Sequence, residues 1–178
     1  MLILALLAAS IVGTVETTPA KFLPETVVYL EKVPGTFPPK TLSMDQKGMK
    51  FVPTVLAIST GDTVHFLNHD GVDHNVYSPD NEGYNLGMIH KGAAFDHKFD
   101  KPGVYTQLCS VHPEMLAYIY VGENPFEAVV GKNGKYKIDK VPPGTYQVAI
   151  WNAHLKGPAQ TITVAAGKSA EAKFSLHR

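Results

Sequence analysis

Cysteine is almost missing from this chain: its 178 residues contain one, Cys109. A single thiol excludes an internal disulfide framework, so cysteine usage says nothing direct about compartment. Excess charge of either sign is missing too, because Lys+Arg and Asp+Glu each total 16. That balance argues against nucleic-acid binding and against strong long-range steering of a partner. No apolar run reaches the ~20 residues of a membrane span, so no integral span is expected. The longest, Met1 to Val12, is about a dozen residues, the length of a signal-peptide core. Small residues and Thr18-Pro19-Ala20 follow it, although the usual basic residues ahead of such a core are lacking. The expectation is a signal peptide over residues 1–20, cleaved between Ala9 and Ala20, and a periplasmic or otherwise exported chain. Convincing helical periodicity is also lacking throughout.

What is present is a series of short strands. Val27-Val28-Tyr29-Leu30-Glu31 is a β-branched and aromatic run ended by Val33-Pro34-Gly35, and Pro38-Pro39 then breaks regular structure. From Thr41, Leu42 and Met44 alternate with polar neighbours. Val55 to Ile58 leads through Gly61-Asp62 into Thr63 to Asn68, and Phe95, His97 and Phe99 alternate with Asp96 and Lys98. Lys101-Pro102-Gly103 turns the chain into Val104 to Cys109, and Leu116 to Val121 closes the block. This spacing predicts an all-β sandwich or barrel. Residues 78–91, rich in Asp, Asn and Gly, read as a surface loop. A second unit opens at Gly122-Glu123-Asn124-Pro125, with strands expected at Tyr136 to Ile138, Thr145 to Trp151, Gln160 to Val164 and Ala172 to Leu176. Its ~55 residues supply too little core for comfortable stability alone.

The chemistry concentrates in Leu108-Cys109-Ser110-Val111-His112-Pro113-Glu114-Met115. An isolated cysteine is more often a small buried hydrophobe than a ligand. Here an imidazole follows three residues later and a thioether three after that, a soft and borderline donor set suited to a soft metal. Trigonal Cys/His/His sites with a weak axial Met are preferred by electron-transfer copper. The loop offers one histidine, so a second must come from elsewhere. The candidate is His74, in Gly71-Val72-Asp73-His74-Asn75-Val76-Tyr77, just beyond the strand ending at Asn68. Glu114 is a competing oxygen donor for the axial position. Of the other histidines, His65 is expected to face outward and His97 to be a hydrogen-bonded core residue. His69, in Asn68-His69-Asp70-Gly71, has turn chemistry around it, and His90, His154 and His177 have no local ligand partners.

These residues resemble the cupredoxins, the blue-copper proteins, over roughly residues 41–122, and the plastocyanin and amicyanin branch most. The Cys-x2-His-x2-Met spacing is shorter than the plastocyanin loop and matches that of amicyanin. The resemblance implies a Greek-key sandwich holding one mononuclear type 1 copper, cycling between Cu(II) and Cu(I). His74, Cys109 and His112 would be equatorial ligands and Met115 the axial one. Asn75 matches the residue that ties the two ligand loops together in that family, and Ser110 the residue after the cysteine. Both would orient ligands from behind. The implied function is single-electron transfer with a redox protein, a cytochrome or a dehydrogenase, and no enzymatic activity. The alternative is copper carriage and delivery. Multicopper catalysis would need His-x-His pairs, and the sequence has none.

Residues 123–178, through Gly134-Lys135-Tyr136-Lys137-Ile138 and Val141-Pro142-Pro143-Gly144-Thr145-Tyr146, resemble the transthyretin-like, carboxypeptidase-regulatory type of sandwich. The combination of both modules resembles methylamine-utilisation-type cupredoxin proteins. Within residues 21–40, the run at Val27 is expected to pair with the C-terminal unit and to supply its missing opening strand.

Overall fold

The computed structural model describes residues 9–178, which form an all-β chain of two compact units. One unit combines residues up to Gly35 with Phe126–Arg178, and the other is Thr36–Pro125. The first begins with β1 (Ala9–Thr17), a short 3₁₀ turn (Ala20–Glu25) and β2 (Thr26–Leu30). The second carries β3 (Thr41–Gln46), β4 (Phe51–Val52), β5 (Val55–Ser59), β6 (Thr63–Asn68), β7 (His74–Ser78), β8 (Tyr84–Ile89), β9 (Ala94–Lys98), β10 (Gly103–Leu108) and β11 (Leu116–Gly122). The chain then returns to the first unit with β12 (Glu127–Val129), β13 (Lys135–Val141), β14 (Gly144–Asn152), β15 (Gln160–Val164) and β16 (Ser169–Leu176).

In the discontinuous unit the sheets run β13-β1-β16 and β12-β2-β14-β15. β2 lies between β12 and β14, with Val28 opposite both Ala128 and Ile150. β1 is the middle strand of its sheet, parallel to β16 from Ser10↔Ser169 to Thr17↔Leu176 and antiparallel to β13. This corrects the expected extent of the leader. Residues 9–17 are a structural strand with Ile11 and Val15 buried. A leader core and a buried strand have the same composition over this length. The β-branched Ile11, Val12, Thr14 and Val15 suit the pleat, and the pairing along β16 decides the matter. The start of the expected leader, residues 1–8, lies outside the described residues. Gly13 is required where β1 crosses Ala172. A Cβ there would sit 1.7 Å from the Ala172 carbonyl oxygen, which already accepts the Tyr136 hydroxyl at 2.7 Å.

The continuous unit is a sandwich of β5-β11-β10-β7-β8 and β4-β3-β6-β9. Its core is one cluster that includes Met44, Phe51, Phe66, Phe99, Tyr105 and Ile119, and Cys109 and Met115 belong to the same cluster. Period-two alternation builds it: β6 reads intermediate, buried, intermediate, buried along Thr63 to Asn68. One expectation fails here. Residues 84–89, read as loop, form the edge strand β8. Tyr84, Leu86 and Ile89 supply its inward packing, while Gly87 at φ +76° lets the strand bulge against β7 between Asn75 and Tyr77. An irregular edge strand loses the clean alternation on which sequence reading depends.

Candidate metal centre

Three strand ends build the site. β10 and β11 form an antiparallel ladder whose last pair is Leu108↔Leu116, so Cys109–Met115 is the loop that closes this hairpin. Within it the Met115 amide donates to the His112 carbonyl at 3.0 Å, which curls the chain back after Pro113. β7 runs alongside β10, with Leu108 opposite Tyr77. That pairing brings His74, the first residue of β7, to the same end of the sheet as Cys109.

The donor atoms converge. His74 Nδ1 lies 2.9 Å from His112 Nδ1, and Cys109 Sγ lies 4.0 Å from the first and 3.8 Å from the second. The three ligand atoms fall within 4.8 Å of one another, and among the described residues this is the one such group of His, Cys, Asp or Glu. His74 and Cys109 are buried and His112 is partly exposed. Met115 is 1% exposed, whereas Glu114 points to solvent. Thioether and carboxylate are therefore separated by alternation at the loop's end, with sulfur on the core side.

Asn75 connects the loops. Its amide donates to Cys109 Sγ at 3.3 Å and its side-chain oxygen accepts from the Ser110 amide, also at 3.3 Å. The side-chain nitrogen of Asn75 is spent on Asn85 Oδ1 and Gly87 O, so β8 braces it in turn. Ser110 takes part through its backbone.

Sequence reading missed Asp70. His74 Nε2 faces Asp70 Oδ2 at 2.8 Å, and the Gly48 and Met49 amides donate to the same carboxylate at 2.6 and 2.9 Å. Desolvation pushes the Asp70 carboxyl up, but the bonds from Met49, Gly48 and His74 outweigh it and hold the group below the ordinary carboxylate value. The signal was an acid four residues ahead of a candidate ligand, hidden in a segment that reads as turn chemistry. The other histidines take different partners: His65 pairs with Asp96, His69 with Asp45, His90 with Asp73 and His154 with Glu25. His97 stacks on Tyr84 with ring centroids 3.9 Å apart.

A thiolate, two imidazoles that converge through Nδ1, and a buried thioether fit copper. Closed structural zinc sites use four strong donors, whereas this set has three and one weak one. When bound, copper supplies a one-electron Cu(II)/Cu(I) couple. Val72 and Val111, one on each ligand-bearing loop, are both 48% exposed.

Comparison with known proteins agrees with this geometry. Residues 40–122 match the family model described as copper binding proteins, plastocyanin/azurin family. Residues 123–172 match the model described as polysaccharide lyase family 4, domain II, which supports an additional β-sandwich. Amicyanin-alpha of Methylorubrum extorquens is 29% identical over 77 residues, covering 41% of this chain and 65% of that protein. The chain thus spans just under two thirds of that relative. Plastocyanin of Vicia faba is 31% identical over 83 residues, covering 40% of this chain and 84% of that protein. Among solved structures, a copper-containing nitrite reductase from Thermus scotoductus is 30% identical with a TM-score of 0.45, covering 47% of this chain and 22% of that one. With a blue-copper donor set at the end of a two-sheet sandwich, and a plastocyanin matched over most of its length, the chain belongs to the plastocyanin/azurin family of copper-binding proteins.

Proposed function

We propose that this protein is a single-electron carrier whose one copper is held by His74, Cys109 and His112 in the equatorial plane and by Met115 axially. The observation that carries the reading is the convergence of three donor atoms within 4.8 Å at the end of a sheet whose ladders fix two of them. Donors fixed by strand ladders move little between oxidation states, and small rearrangement favours rapid electron exchange. His112 is the partly exposed ligand, so its ring edge is the exit. Val72, Val111 and Pro113, on the ligand loops, offer it an apolar surround. Near-zero net charge suits docking through such a patch with a redox protein, a cytochrome or a dehydrogenase, more than docking by steering. Carriage rather than enzymatic turnover is supported by the lack of a His-x-His pair in the sequence.

Export belongs to the same proposal. Cleavage between Ala9 and Ala20 would remove part or all of β1, and the N-terminal sequence of the mature protein tests whether that strand is retained. Among the described residues no helix is long and apolar enough to cross a membrane.

The deciding experiment is the visible absorption spectrum of copper-loaded protein with its voltammogram. An intense thiolate-to-Cu(II) band with a reversible couple is expected. Tight Cu(I) binding with no stable coloured Cu(II) form would replace this reading by copper delivery. Met115→Leu is expected to keep the colour and raise the potential, because a weak axial thioether modestly stabilises Cu(II). An unchanged potential would remove Met115 from the ligand set.

A further inference from the structure

We propose that Asp70 is a positioning residue for the copper centre. Its carboxylate, anchored by two backbone amides of the β3–β4 turn, holds the His74 proton on Nε2. That leaves Nδ1 bare toward Cys109 and His112 and favours the oxidised metal. The inference rests on the reading of His74 as a ligand.

An imidazole that binds metal through one nitrogen must keep its proton on the other. The group accepting that proton sets both the ring's tautomer and its donor strength. His74 is fully buried, so no bulk solvent competes for Nε2, and its partner there is Asp70 Oδ2 at 2.8 Å. A charged acceptor draws the proton more strongly than a backbone carbonyl would. The imidazole gains imidazolate character, a better donor to Cu(II) than to Cu(I).

Asp70 can act this way because it is itself fixed at both ends. Its amide donates to Asn68 Oδ1 at 2.9 Å, and the Asn68 side-chain nitrogen donates to Val72 O and Ile89 O at 2.8 and 2.7 Å. The carboxylate is met by the Gly48 and Met49 amides. Those two residues are the centre of the turn Lys47-Gly48-Met49-Lys50, at φ +65° and +57°. Glycine adopts that conformation freely, but in Met49 the Cβ crowds the following carbonyl oxygen. The strained residue is the one whose N–H reaches Oδ2, the oxygen that also holds His74. Turn, carboxylate and ligand are thus one connected unit.

A role limited to stapling the turn to the loop would leave the imidazole's tautomer and the metal's potential alone, so these two are measured. In copper-free protein, nitrogen-resolved NMR of the His74 ring is expected to show only the Nε2–H tautomer, and a mixture in Asp70→Ala. In copper-loaded protein, Asp70→Asn keeps the side chain's shape and removes its charge. Cu(II) affinity is expected to fall about 10–100-fold, and Cu(I) affinity less. Each tenfold difference between the two raises the potential by 59 mV. A His74 tautomer unchanged in Asp70→Ala, or a potential unchanged in Asp70→Asn, overturns the inference. If the wild-type protein shows no thiolate-to-copper band, the reading of the centre has failed instead. The copper-free tautomer measurement then decides the role of Asp70 by itself.

Discussion

The two units use the same corner and put different things beside it. In the continuous unit Lys101-Pro102-Gly103-Val104-Tyr105 enters β10, and the Tyr105 hydroxyl donates back to the Lys101 carbonyl at 3.1 Å. In the discontinuous unit Pro142-Pro143-Gly144-Thr145-Tyr146 enters β14, and Tyr146 donates back to the Pro142 carbonyl at 2.9 Å. Each tyrosine reaches the carbonyl four residues upstream and pins a Pro-Gly turn to the strand that follows, as tyrosine corners do in other sandwiches. Beyond that the two strands diverge. β10 runs on into Cys109 and a loop of metal donors. β14 ends at Asn152, whose side-chain oxygen accepts the His154 and Leu155 amides at 2.9 Å each. The framework is common to both; the chemistry belongs to one strand end.

The strongest break in that comparison is Cys109→Ala. The visible band of copper-loaded protein is expected to vanish, since the thiolate is its source. Both β-sandwiches should remain, because Cys109 is one small member of a large cluster. Far-ultraviolet circular dichroism with absorption tests both halves, and a full-strength band in the mutant would remove the assignment.

Next in size is Gly13→Ala, directed at the other unit. The added carbon would meet the Ala172 carbonyl oxygen at 1.7 Å, so β1 or β16 must shift. A cost of about 1–3 kcal/mol or more is expected for such overpacking. The atoms met belong to Ala172 and Tyr136, and neither is near the donor set in sequence or sheet. The copper band should therefore persist while a calorimetric transition moves down. A lost band with an unmoved transition would contradict this.

What could be read from the sequence follows the same division. Cys109, His112 and Met115 lie within one loop, so spacing alone displayed them together. His74 needed only one added inference, a strand neighbour to β10. The alternation in β6 and β14 made the sandwich class legible. Three things were not. β1 has the composition of a leader core, and only its register with Ser169–Leu176 separates the two. β8 carries a glycine bulge that breaks period two. Asp70 lies only four residues ahead of His74, but it sits among turn residues and the amides that anchor it, Gly48 and Met49, are distant in sequence. Local chemistry was visible; partners at long range were not.

A smaller effect should appear at high pH. Burial pushes the Tyr84 phenol, and less strongly the Tyr136 phenol, above the ordinary tyrosine value of about 10. In the folded chain both stay neutral where the unfolded chain ionises. The stability they contribute is therefore full below pH ~10 and is lost as pH rises further. Each buried phenol adds one proton to the slope whatever the size of its shift, so the transition of the continuous unit, which holds Tyr84, and that of the unit holding Tyr136 should both fall above pH ~10. Tyr84→Phe should flatten the first slope alone. Equal slopes with and without the phenol would refute the assignment.

The smallest expected effect tests the corner itself. Tyr105→Phe and Tyr146→Phe each delete one hydroxyl and leave the ring in place. The hydrogen bond lost should cost about 0.5–1.5 kcal/mol. Tyr105 is 1% exposed and Tyr146 8%. The more tightly enclosed Tyr105 ring has less room to adjust once its hydroxyl is gone, so Tyr105→Phe should sit at the upper end of that range and Tyr146→Phe at the lower. Chemical denaturation of each variant, followed by near-ultraviolet circular dichroism, measures the difference. Were the two costs equal, burial of the ring would not be what sets the strength of the corner. Were Tyr105→Phe also to change the copper spectrum, the corner would be acting on Cys109 along β10, and framework and chemistry would no longer be separable in that strand.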